Sequence, residues 1–155
     1  MASAPALLDY FLKIEGIAGE SMDSKHKGEI DVESWSWGAN NTGSHATGSG
    51  GGAGKVQMQD FHFTMKLNKA SPSLFLKCAT GEHLKEAVIS MRKAGGGQHE
   101  FLKVTLSDLL VSSYQTGGAT TDDLPTDQFA LNFAKIEFDF AGFKTGFDQR
   151  GGTIT

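Results

Sequence analysis

Apolar residues along this chain fall mostly at alternate positions, and in three long runs the alternation changes phase partway. In the first run, Ile30 and Val32 give way to Trp35 and Trp37. In the second, Val56 and Met58 precede Phe61, Phe63, Met65 and Leu67. In the third, Phe129, Leu131 and Phe133 are followed by Ile136, Phe138 and Phe140. Successive side chains of a strand point to opposite faces, so a change of phase predicts a bulge, or a strand that buries its two faces in turn. Strands of that kind turn corners in curled sheets and barrels. The pattern therefore predicts a mainly β, antiparallel domain that is closed or nearly so.

The remaining elements follow from the same reading. Leu8, Tyr10, Leu12 and Ile14 alternate with Asp9, Phe11, Lys13 and Glu15, which predicts a first strand, and residues 16–27 form a polar loop. Residues 71–81 carry the clearest helix signal. Ser71 is placed to cap the first amides, Pro72 suits the first helical position, and Gly81 can close the helix in a left-handed conformation. Phe75, Cys78 and Ala79 then share a face that would dock on a sheet. Val88 and Ile89 favour a strand over 87–93, which the turn signal of residues 94–97 ends. Strands over 101–106 and 109–114 form one ribbon with a break at Ser107 and Asp108, a polar loop covers 116–126, and 129–140 is the last long strand. In the tail, Phe143 and Phe147 mark one short edge strand. The sum is an antiparallel barrel or sandwich with one short helix.

Length and composition narrow this picture. A chain of 155 residues fits a single domain, 1–155, and can bury roughly two thirds of its unfolded surface. Glycine is frequent, 20 of 155 residues, and many of these gather in an arm over 43–54 that has no large apolar side chain. The net charge is −4 and the 14 basic residues are scattered, which argues against a nucleic-acid partner. A lone cysteine, Cys78, rules out an intramolecular disulfide framework and a multi-cysteine zinc site. No basic region opens the chain and Asp9 interrupts its first apolar run, so no secretory signal is expected. No window is apolar for long enough to insert in a membrane, and a soluble cytoplasmic protein is the expectation.

Candidate chemistry is sparse. The arm lacks a phosphate-binding loop, because Ser49 and Val56 stand where glycine and Ser or Thr are needed. The stretch from Gly48 to Ala53 matches a loose dinucleotide fingerprint, but a strand follows it where a helix N-terminus is required. His26, His45, His62, His83 and His99 show no metal-ligand spacing, and His62 between Phe61 and Phe63 falls on the opposite sheet face. No serine lies in a nucleophile elbow, and Asp60, Asp122 and Asp123 read as solvated or capping acids. No catalytic residue, metal or cofactor is expected. Trp35 and Trp37 fill a core from one strand face, and Ser36 between them points the other way. The arm is long for a hairpin connection, which suits a binding element whose exposed backbone lies on a neighbouring chain.

The residues of two segments, Gly28 to Val32 with Trp35-Ser36-Trp37-Gly38, and Gly51 to Val56 with Gln59 to Thr64, resemble the haemolysin co-regulated protein (Hcp) family of bacterial type VI secretion. The resemblance continues through Ser71-Pro72 to Cys78, Arg92 to Gly96, Leu110 to Ser113 with Gly117-Gly118, and Leu131 to Ala134, and so covers nearly the whole chain. It implies a two-sheet β-barrel with a flanking helix, assembling as homo-hexameric rings. It further implies rings that stack into the inner tube of a contractile injection machine, with spike and sheath proteins as partners and effector proteins carried and chaperoned in the lumen. Export would then use that machine.

By the same resemblance Ser36 faces the lumen and is the candidate effector contact. The arm, with Gly43, Ser44, His45, Gly48, Gly50, Gly51, Gly52 and Gly54, would reach an adjacent subunit or ring. A ring closes only if two different surfaces of each subunit meet. The tail departs from relatives that end their last strand with tryptophan or tyrosine, since Gly146-Phe147-Asp148 stands here, and no extension is long enough for a fused toxin domain. The alternatives are a monomeric soluble β-barrel that binds a small ligand in its interior, and a hydrolase with scattered catalytic residues.

Overall fold

The computed structural model describes residues 6–43, 55–95 and 99–155. Its strands are β1 (Leu8–Ile14), β2 (Ile30–Val32), β3 (Ser34–Ser36), β4 (Ala39–Asn41), β5 (Val56–Met58), β6 (Phe61–Lys66), β7 (Leu84–Lys93), β8 (Glu100–Gly117), β9 (Thr126–Phe140), β10 (Phe143–Asp148) and β11 (Thr153–Ile154). A single helix, α1 (Ala70–Thr80), lies between β6 and β7. Every named pairing is antiparallel. The fold is mainly β, with one nine-stranded sheet and the separate two-stranded ribbon β4–β5, as the alternation predicts.

The three phase changes mark the places where the sheet turns. β2 pairs with β1, whereas β3 pairs with β6, and the two strands are separated only by Glu33, whose N–H donates to Thr64 O at 2.8 Å. One extended segment thus joins opposite ends of the sheet, through the chain at Glu33 and not through a strand ladder. The second change falls at Gln59 and Asp60, between β5 in the ribbon and β6 in the main sheet. The third lies in β9, whose first half pairs with β6 and whose second half pairs with β10. β8 spans both expected strands without interruption. At the expected break Asp108 adopts a positive φ of 52°, yet the register is kept through it, Ser107 opposing Glu86 and Leu109 opposing Leu84.

The core is filled with aromatic side chains. Phe63 stacks on Phe61 and on Phe129 with ring centroids 5.1 Å apart in each pair, and Trp35 and Trp37 continue the row at 5.5 and 6.2 Å from Phe61. Such pairs add about 0.5–1.5 kcal/mol each beyond the area they bury. Leu12, Ile14, Ile30, Ile89, Leu106 and Leu131 close the core from the other strands.

The helix corrects two expectations. Its N-cap is Lys69, which makes no side-chain capping bond, and Ser71 lies inside the first turn. Asn68 serves the turn instead, its Oδ1 accepting from Ala70 N at 2.8 Å. The most buried face holds Ala70, Ser71 and Leu74; of the expected face Cys78 packs against the core and Phe75, 59% exposed, lies 6.2 Å from the Tyr114 ring, while Ala79 is exposed. The reason is a tertiary bond from Ser71 to Asp127, which fixes the rotation of the helix. Gly81 does close the helix, at φ 67°, and its N–H donates to Lys77 O. The tail also forms more than the single edge strand expected of it: Phe143 and Phe147 lie in β10, and β11 pairs beyond it.

Candidate functional site

Ser36 sits at the end of β3, exposed, with Trp35 before it turned into the aromatic row. From Ser36 the ladders lay out a row across four strands: Ser36 opposes His62, His62 opposes Ala130, and Ala130 opposes Ser113. Two residues along, a second row runs Ser34, Thr64, Gln128, Gln115. Strands lie about 4.8 Å apart and side chains on one face recur about every 6.8 Å, so the eight positions form a regular lattice. Ser34, Ser36, His62, Gln128, Ser113 and Gln115 are exposed, and Ala130 is buried between His62 and Ser113 as a floor. A groove of about 430 Å³ runs over this face, bounded by Ser36, His62, Thr64, Ser113, Gln115 and Gln128.

Local structure explains how these side chains reach one face. Between Val111 and Ser113 the register of β8 against β9 shifts by a bulge, which leaves Ser112 and Ser113 both exposed. Ser112 Oγ donates to Asp60 Oδ2 at 2.6 Å, and Asn132 Nδ2 donates to Asp60 Oδ1 at 2.8 Å. Asp60, at one end of the lattice, therefore has both oxygens engaged. Lys66 closes the other end, with its Nζ 3.7 Å from Asp123 Oδ1. Between these ends His62 is the one titratable side chain. The aromatic row behind the same strands makes the face a rigid platform.

A second polar cluster lies on another part of the molecule and fastens the loop of residues 18–29. Arg92 Nε donates to Asp9 Oδ2 at 3.1 Å and Nη1 donates to Asp23 Oδ2 at 3.1 Å, with the guanidinium 4.9 Å from the Phe11 ring centroid. The Arg92 bonds hold the Asp23 carboxyl below the usual carboxylate range. On Phe11 also stacks His26, at 4.3 Å, buried and bridged to Glu29 and Glu100. Nearby Asp31, though exposed, has its carboxyl pushed up by partial desolvation first and then by the charges of Asp9, Asp23 and Glu20, against a lowering hydrogen bond with Ser21. Asp9, Asp23 and Asp31 line a groove with Arg92, and the contacts within it account for the arrangement without any ligand.

Among the described residues, no group of three or more His, Cys, Asp or Glu side chains could hold a metal ion. No helix there is long and apolar enough to cross a membrane. Of the arm, Gly43 is described, with a φ of 53°, and Ser44, His45, Gly48, Gly50, Gly51, Gly52 and Gly54 lie outside the described residues. The sequence placed Ser36 and His62 away from the core, but Ser113, Gln115 and Gln128 went unnoticed. Their signal was present as polar residues alternating with Tyr114 and Phe129.

The described residues thus form a β-rich domain with a filled aromatic core and an uncharged polar face. The family model for the type VI secretion system effector Hcp matches residues 11–140. The chain belongs to the Hcp family of type VI secretion. It is 44% identical over 148 residues to the protein hcp1 of Pseudomonas aeruginosa, covering 95% of this chain and 91% of that one. Among solved structures it is similar to Hcp1 from Salmonella typhimurium, at 34% identity and a TM-score of 0.83, covering 96% of this chain and 99% of the other. A type VI secretion effector from Yersinia pestis gives 30% identity and a TM-score of 0.76, covering 90% and 99%.

Proposed function

We propose that this chain is the structural subunit of the type VI inner tube, forming hexameric rings that stack and carry effector proteins in the lumen, without catalysing a reaction. The observation that carries the reading is the family match, which extends through nearly the whole sheet. In this reading the face with Ser36 lines the lumen and contacts effectors. The arm over 43–54 reaches an adjacent subunit or ring, and spike and sheath proteins are the outer partners. The protein leaves the bacterial cytoplasm through the machine itself.

The exposed apolar side chains support assembly. Phe143, Phe140 and Ile154 lie on the β9–β10–β11 edge, with Phe143 81% exposed, whereas Leu7 and Met22 are exposed elsewhere. Ring closure needs two such unlike surfaces. The alternative, a monomeric barrel with a small ligand inside, is disfavoured by the packing of Phe61, Phe63 and Phe129, which occupy the interior.

The test is the absolute mass by light scattering, with negative-stain images of the same peak. Six-subunit rings with an open centre are expected, and a stable monomer at high concentration overturns the reading. Ser36→Arg is expected to leave ring mass unchanged and to abolish effector binding. Dissociation to monomers would place Ser36 in an interface or core.

A further inference from the structure

The charge distribution on the Ser36 face is unlike that of the rest of the molecule. The chain carries 14 basic and 18 acidic residues, yet the two rows across β3, β6, β9 and β8 hold none of them. Their side chains are three serines, one threonine, two glutamines, one histidine and one alanine. The acids are elsewhere, as in the groove with Asp9, Asp23, Asp31 and Glu33. Asp60, the nearest carboxylate, already accepts from Ser112 and Asn132.

A face of this composition offers hydroxyl and amide groups that both donate and accept, plus one imidazole. Between Asp60 and Lys66, which are engaged by Ser112, Asn132 and Asp123, the two rows give a charged partner nothing to pair with, and covering them with such a partner would strip a charge of water without compensation. An uncharged polar partner loses little, because each hydrogen bond to water is exchanged for one to the lattice. The groove between His62 and Ser113, over the Ala130 floor, admits an extended segment.

We infer that the Ser36 face recognises uncharged polar polypeptide segments, rich in Ser, Thr, Asn and Gln, through neutral hydrogen bonds, with His62 and Gln128 as specificity-determining residues. As an account of cargo selection this rests on the lumen reading above, while the chemistry of the face stands on its own geometry. It makes cargo binding insensitive to salt, since screening acts on charge pairs. It also makes a fixed charge at position 62 a block to binding.

The experiment uses the full chain and three fluorescein-labelled peptides of about ten residues, long enough to cross four strands. One is built from Ser, Thr, Asn and Gln; in the others alternate positions are Lys or Glu. Binding is read by fluorescence anisotropy at about 50 mM and about 500 mM NaCl, a range over which screening of charge pairs changes strongly. The same samples are weighed by light scattering. The neutral peptide is expected to bind about tenfold more tightly than either charged one, with less than about a twofold change across the salt range. His62→Glu and Gln128→Ala are each expected to weaken it about fivefold or more, with unchanged circular dichroism and mass.

Tighter binding of a charged peptide, a strong salt dependence, no binding of the neutral peptide, or variants without effect would each overturn the inference. A monomer that still prefers the neutral peptide upholds the face and removes the ring. A ring that does not discriminate does the reverse.

Discussion

Ser71 of the helix donates its hydroxyl to the buried carboxylate of Asp127 in β9 at 2.5 Å, across 56 residues of chain. Tyr114 of β8 donates to the same oxygen at 2.9 Å, and the other oxygen of Asp127 finds no hydrogen-bond partner among the described residues. Burial and the bond to Asp127 push the Tyr114 phenol above its ordinary value. Helix and sheet are thus joined through one acid.

Ser71→Ala is therefore expected to lower the unfolding free energy by about 1–3 kcal/mol, the cost of leaving a buried acceptor short of a donor. Urea titration measures this. A loss below a few tenths would show that the bond does not hold the helix.

Gly19→Ala is expected to be among the more damaging small substitutions. A Cβ there would meet Glu29 O at 2.3 Å and Ile30 N at 2.7 Å, both backbone atoms that cannot step aside cheaply. Overpacking of this kind costs about 1–3 kcal/mol. Thermal unfolding should show a lowered midpoint, and Gly28→Ala, where the obstacle is a φ of 78° and not a neighbour, provides the contrast.

Asp23 supplies a pH dependence. Its carboxyl is held below the usual range by Arg92, so its contribution to stability is present above the unfolded value, about pH 4, and is lost as the pH falls through the lower folded value. Asp23→Asn should be less stable than the parent at pH 7, with the gap closing below about pH 4. A gap that persists at pH 2 would assign the effect to shape and not charge.

Asp31 behaves with the opposite sign. Its raised carboxyl favours the protonated form in the folded chain, so ionisation opposes folding as the pH rises above about 4. Asp31→Asn is expected to raise the melting midpoint at pH 7 and to leave it unchanged near pH 3. A lowered midpoint at pH 7 would mean that contacts of the carboxylate outweigh its desolvation.

Much of the fold is legible in the order of residues. Alternation along a strand is local, so Ile30, Val32, Trp35 and Trp37 announce the kink at Glu33 before any partner strand is known. Gly81 and the irregular residue Asp108 are local too, because each depends on the conformation of a single residue. What alternation does not reveal is which strands meet. Nothing in the stretches around Ser36, His62, Ala130 and Ser113 says that they share a row, since register is set by pairings across the sheet.

The sequence by itself determined the β class, the three turning points of the sheet, the end of the helix, and the outward aim of Ser36 and His62. These follow from two-residue periodicity and from backbone preferences, which act over a few residues. Only the tertiary structure decided that the helix buries Ala70, Ser71 and Leu74 most deeply, because the bond between Ser71 and Asp127 turns that side to the sheet and leaves Phe75 and Cys78 at its margin. It alone gathered the uncharged lattice, because that surface exists only once four distant segments are held side by side by their ladders.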